Sequence, residues 1–317
     1  MFADWQSIID DFKTVVPRVD FWSLRLVQDE TETLHVRDDV LQPPSLVQSR
    51  GAHISFIDRG GMAYAATSAL NREGLRTACE RALDWLAFSR RHALIAADSM
   101  PRPGYSGSYA TAVHIPWEAW SLEDKLGRLQ DINRELNIDN AIVDRQARLS
   151  RRRSQVTLVT SDGVRIDQQF HYLIPGYAAV ANRGAQTQMR SGGGWGSARQ
   201  GGLEQLAGFD FPDSARLVAE QALALVGAPE CPGATADVLL MPSQMMLQIH
   251  ESIGHPLELD RILGDERNYA GTSFVSLDMF GSYRYGSALL NVTFDPGIAQ
   301  EMASYAFYDE GTPAERR

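Results

Sequence analysis

Cysteine is nearly absent. Cys79 and Cys231 are the only two in 317 residues, too few and too far apart for a disulfide framework, so nothing in the composition calls for an oxidising compartment. Positive charge is also in deficit: 30 Lys and Arg face 40 Asp and Glu, a formal net charge of −10, which is not the footprint of a nucleic-acid binder. No stretch stays apolar for the roughly 18 residues of a membrane span. The start, MFADWQSIIDDFK, has neither the basic flank nor the apolar core of a signal peptide. The expectation is a cytoplasmic protein with reduced thiols and with no nucleic-acid or membrane partner. A hydrophobic content of 44% excludes a disordered chain, and the length suggests about two domains.

The pattern of what is present predicts an α+β fold: antiparallel sheets with packed helices in two N-terminal modules, followed by the start of a β-rich C-terminal domain. Trp5, Ile8, Ile9 and Phe12 recur at helical spacing. Residues 21–28 and 32–38 read as half-buried strands, and 51–58 and 61–67 as two more around the turn Arg59-Gly60-Gly61. Asn71, a good N-cap, opens a helix whose stripe Leu75, Ala78, Cys79, Ala82, Leu83 and Leu86 makes Cys79 a core residue. A Pro/Gly/Ser-rich linker over 97–117 closes a first module, 1–97. The second, 98–232, holds a helix capped by Ser121 with Asp124, β-prone runs over 140–149, 155–160 and 164–172 with a turn at Ser161-Asp162-Gly163, and a helix over 213–226. The third, 233–317, starts with a strand-like run over 237–240 and carries a helix capped by Ser243; its run 288–294 reads as a core strand, with a substrate-accepting edge strand as the alternative.

Several conspicuous features carry no chemistry. Arg151-Arg152-Arg153 has no aromatic platform around it and reads as a solvated turn. The run Ser191-Gly192-Gly193-Gly194-Trp195-Gly196 lacks the Lys-Ser/Thr of a P-loop and reads as a flexible loop or strand edge. His35, His53, His92, His114 and His171 are dispersed along the chain.

One motif is different. His250-Glu251-Ser252-Ile253-Gly254-His255 sets two imidazoles about one turn apart with a carboxylate beside the first, close to what zinc-dependent hydrolysis needs: neutral imidazoles hold the ion, and a glutamate takes a proton from water that the ion acidifies. The spacing is i, i+5. At about 100° per residue such a pair diverges by roughly 140° on an ideal α-helix and cannot reach one ion. A locally widened helix, a π-bulge, would return both rings to one side. Gly254 tolerates distortion, and Pro256 lacks the N–H that would bond the Ser252 carbonyl and disfavours αR at His255. From spacing alone, a metal site and a pair of locally bonded helix histidines remain open alternatives.

Three stretches together, HESIGHPLE (250–258), NYAGTSFV (268–275) and DEGTPA (309–314), resemble the TldD/PmbA family, and the likeness spans most of the chain. The resemblance implies a zinc metallopeptidase acting on short or unfolded peptides, working as a homodimer or as a heterodimer with a related subunit. It makes His250 and His255 zinc ligands and Glu251 the general base. The family's third ligand is a cysteine far into the C-terminal domain. No cysteine or histidine follows His255 here, and relatives continue well past DEGTPA, so a chain lacking most of that domain is expected. Glu258 is the nearest candidate for a third ligand or a supporting residue, with Asp260, Asp265 and Glu266 further off. The alternative function is a non-catalytic subunit that binds a partner or peptide without turnover.

Overall fold

The computed structural model describes residues 4–94, 96–102, 104–207 and 211–317, the side chains of 211–213 excepted. In order, the elements are α1 (Gln6–Val15), β1 (Phe21–Arg37), β2 (Val40–Leu41), β3 (Ser45–Asp58), β4 (Gly61–Thr67), α2 (Arg72–His92), β5 (Gly107–Ala110), α3 (Leu122–Glu135), β6 (Ile142–Thr160), β7 (Arg165–Arg183), β8 (Gln186–Gly193), β9 (Arg199–Gln200), α4 (Phe211–Val226), α5 (Pro242–Ile249), α6 (Leu259–Leu263) and α7 (Arg267–Ala270). The chain divides into two compact units, Met1–Pro229 with Asp295–Arg317, and Glu230–Phe294. Among the described residues no helix is long and apolar enough to cross a membrane.

The larger unit is built on one nine-stranded sheet of order β4-β3-β1-β6-β7-β5, with β2, β8 and β9 pairing at its margins. Its hairpins form where the backbone can take positive φ. Arg59 (φ 50°) and Gly60 (φ 76°) join β3 to β4, and Gly163 (φ 84°) lies between β6 and β7. Gly61 is required by space, since a Cβ there would stand 2.6 Å from Arg90 Cγ and 2.9 Å from Arg90 N. The expected caps are present: Asn71 Oδ1 accepts from Gly74 N–H at 2.8 Å, and Ser121 and Asp124 form a reciprocal capping box.

Period-2 alternation places Leu24, Leu26, Leu34 and Val36 of β1 on one face, and they serve two different cores. Leu24 and Leu26 join Ile54, Phe56 and Val159 under α1 and α2, which contribute Ile9, Phe12, Leu75, Cys79 and Leu86, with Trp5 just before α1. Leu34 and Val36 join Ala147, Leu149 and Leu173 with Leu129 and Ile132 of α3 and Ala215 and Ala222 of α4. Each such buried Leu, Ile or Phe is worth about 1.5–3 kcal/mol relative to exposure. The two cores thus share one sheet, and β1 runs through both.

The strip between the cores corrects the reading of the arginine run as a turn. Residues 21–28 and 32–37 lie in one 17-residue strand, and 142–149 and 155–160 in one 19-residue strand with Arg151, Arg152 and Arg153 in its middle. The register sets Glu32 opposite Arg151 and Glu30 opposite Arg153. Arg151 Nη2 donates to Glu30 at 2.9 Å and Glu32 at 3.1 Å, and Nη1 to Glu118 at 2.7 Å. Arg153 also pairs with Glu30, and Arg152 meets Asp29 at 3.0 Å. Three adjacent cations look solvated in isolation; their counter-charges on β1 lie about 120 positions away in sequence.

Other expectations also change. Part of the linker, Gly107–Ala110, is a strand running parallel to β7. Residues 237–240 and 288–294 form no strand, because neither run finds a partner to complete a ladder among the described residues; a substrate-accepting edge at 288–294 is absent with it. Helix α5 starts with Pro242 at its first turn and Met241 as a cap without a side-chain bond, so Ser243 is not the N-cap; proline's fixed φ suits the first helical position.

The segment after residue 294 returns to the sheet. Gln168 Oε1 accepts from Ala306 N–H at 3.2 Å and Phe307 N–H at 3.1 Å, while its amide donates to the Phe307 carbonyl at 3.0 Å. The DEGTPA stretch is a tight turn with Gly311 at φ 95°, and its Asp309 pairs with Arg25 at 2.8 Å.

Candidate metal centre

The smaller unit carries the histidine motif at the end of α5. From His250 to Gly254 the helix widens into a π turn, in which His255 N–H bonds to the His250 carbonyl, five residues back, and a 3-10 turn, His255–Leu257, follows. The extra residue brings position i+5 back beside position i, so the two rings that an α-helix would splay apart lie with centroids 4.4 Å apart and planes at 73°. Ligand-capable atoms of His250, Glu251 and His255 all fall within 4.8 Å of one another. The ligands of one tetrahedral zinc, with bonds of about 2.0–2.1 Å, stand roughly 3.3 Å apart, so small side-chain rotations suffice to close the set. His250 and Glu251 are exposed and His255 is half-buried.

Two details of the expected distortion differ. Gly254 has φ −56°, and a Cβ there would meet only the Ile249 carbonyl oxygen at 3.9 Å, so the turn does not demand glycine. His255 stays in αR at φ −59°, ψ −44° although proline follows, a conformation that proline disfavours in the residue before it without forbidding it. The orphan carbonyl is where it was expected: Pro256 has no N–H for Ser252, and the hydroxyl of Tyr285 donates to that oxygen instead. Ser273 Oγ donates to the Pro256 carbonyl at 2.7 Å, which ties the NYAGTSFV stretch to the motif.

Glu258 lies outside the three-residue cluster. One carboxylate oxygen sits 2.8 Å from His255 Nδ1 and the other accepts from Arg261 Nε at 2.9 Å. The hydrogen bond from His255 is the largest influence on its carboxyl and, helped by the bond and charge of Arg261, holds it below the usual range against the opposing cost of desolvation. Of the remaining acids considered, Asp260 accepts from Arg261 N–H at 2.8 Å, and neither it, Asp265 nor Glu266 joins the cluster. The donor chemistry, two imidazoles and a carboxylate gathered on one turn, fits a divalent metal such as zinc. Sequence reasoning missed Arg261, Ser273 and Tyr285. Arg261 had a signal, a step of three from Glu258, which is itself three from His255; Tyr285 had none.

Residues 115–226 match the PmbA/TldA metallopeptidase central domain and residues 22–86 match PmbA/TldA metallopeptidase domain 1. A metalloprotease of Synechocystis sp. is 27% identical over 304 residues, covering 94% of this chain and 61% of its own length. One from Methanocaldococcus jannaschii is 22% identical over 302 residues, covering 94% and 63%. The chain thus spans about three fifths of these relatives. Among solved structures, a Thermotoga maritima protein proposed as a modulator of DNA gyrase aligns with TM-score 0.65 at 15% identity, over 99% of this chain and 68% of that one. TldE from Thermococcus kodakarensis aligns with TM-score 0.58 at 15% identity, over 99% and 66%; at such identities the likeness shows the fold. The chain belongs to the TldD/PmbA family of metallopeptidases.

Proposed function

We propose that this chain carries the catalytic turn of a cytoplasmic zinc peptidase that hydrolyses short or unfolded peptides, paired with a copy of itself or with a related subunit. The observation that supports the reading is the convergence of His250, Glu251 and His255 on one π turn. His250 and His255 would hold the ion, and zinc bound there would supply Lewis acidity toward a peptide carbonyl and toward water. Glu251, exposed beside both rings, takes a proton from the attacking water as its oxygen bonds to the carbonyl carbon. It then returns that proton to the leaving amine as the C–N bond breaks. The second reading, a subunit that binds without turnover, is favoured by the ligand count among the described residues. Catalytic zinc sites have three protein ligands, and if Glu251 serves as the third here, no base is left on the turn.

Zinc analysis of the purified chain with hydrolysis of an unstructured peptide tests the choice. The peptidase reading expects zinc-dependent cleavage in the wild type, and in Glu251→Gln retained zinc with a loss of at least about a hundredfold in rate. Cleavage that survives the substitution would remove Glu251 from the chemistry, and bound zinc without turnover in the wild type would support the inert subunit.

A further inference from the structure

Glu258 at the start of α6 does not cap that helix; its carboxylate turns back to His255 and is shared with Arg261. A carboxylate can only accept, so at 2.8 Å it fixes His255 Nδ1 as the N–H donor. The Arg261 Nη2 contact with the same nitrogen at 3.4 Å is then packing, since two donors do not bond. With Nδ1 protonated, Nε2 keeps the lone pair that a metal ligand needs. Arg261 in turn is held at two points: Nε on Glu258 and Nη1 on the Ala270 carbonyl at 3.1 Å, with only 17% of its side chain exposed. The guanidinium fork therefore links the C-terminal end of α7 to the ring of His255 through one carboxylate. A lysine ammonium, a single point charge, would not span both acceptors with fixed geometry.

We infer that Arg261 is a positioning residue: by clamping Glu258 against Ala270 it locks His255 in the Nδ1–H tautomer and aims Nε2 at the cation. The inference rests on the metal-site reading above, and its consequence for the ring stands without any metal.

The test uses the full chain. Ring-nitrogen NMR of the metal-free protein reads the tautomer. Wild type is expected to show His255 as a single Nδ1–H form. Arg261→Met is expected to show a mixture containing Nε2–H, with His250 unchanged. Competition with a chromophoric chelator reads zinc affinity, expected to weaken about 10- to 100-fold in Arg261→Met and to recover only partly in Arg261→Lys. Should Arg261→Met fail to fold, Glu258→Leu leaves the Arg261–Ala270 bond in place and should produce the same change of tautomer. A single Nδ1–H form persisting in either variant would overturn the inference. If the wild type binds no zinc, the metal-site reading fails, and the NMR comparison still decides the role of Arg261.

Discussion

Replacing Arg151 by methionine is the sharpest test of how the two cores are joined. The side chain is 10% exposed, and its main partner Glu30 11%. Methionine keeps the apolar stem but strands Glu30, Glu32 and Glu118, which all bond to this guanidinium. Breaking a buried pair from one side costs roughly 3–5 kcal/mol, because the surviving charge is left uncompensated. Here Arg153 still reaches Glu30 and Glu118 is largely exposed, so the lower end, about 3 kcal/mol, is expected. The sign of the pH dependence follows from Glu30. Burial alone would raise its pKa, but bonds from Gln48 and Arg153 and the charges of Arg153 and Arg151 outweigh it and hold the value below 4.5. A depressed carboxyl pKa stabilises the fold above the unfolded-state value, and that contribution is lost as pH falls through the folded value. Urea denaturation at pH 7 should therefore show the full loss in Arg151→Met. Wild type and variant should converge as the pH drops below about 4.5, the ordinary value for this group. A loss under about 1 kcal/mol at pH 7, the range of exposed pairs, would refute a buried network.

Two further outcomes follow. Tyr285→Phe removes the donor to the Ser252 carbonyl; losing one net hydrogen bond of about 0.5–1.5 kcal/mol should weaken zinc binding up to roughly tenfold by loosening the π turn, and unchanged affinity by chelator competition would show that the turn stands without it. Cys79 is buried, and that burial pushes its thiol up to about 11, so iodoacetamide at pH 8 followed by mass spectrometry should modify exposed Cys231 and spare Cys79 until the protein is unfolded.

Local chemistry was readable wherever one stretch of chain sufficed to dictate it. Gly60 and Gly163 mark their turns, Asn71 and Ser121 their helix starts, and the stripe through Leu75, Cys79 and Leu86 its buried face. For both i, i+5 histidines to reach one ion the turn has to widen, and the structure has such a turn. What failed was decided at long range. Arg151 reads as a turn residue until Glu30 and Glu32 are set opposite it. Residues 107–110 become a strand because β7 offers them an edge. Phe307 is placed by the amide of Gln168, 139 positions away. At the candidate site periodicity showed that the two rings could meet only on a widened turn. The orphan carbonyl of Ser252 was predictable from Pro256, but its donor Tyr285 arrives from 33 positions on.

The proposed site holds one cation between both imidazoles of the widened turn. Zinc K-edge X-ray absorption on the full chain loaded with one equivalent measures this directly. The expected spectrum carries the multiple-scattering signature of two imidazoles with nitrogen at about 2.0–2.1 Å, falling to one in His255→Ala and in His250→Ala. A first shell whose imidazole count is the same in wild type and both variants would contradict it.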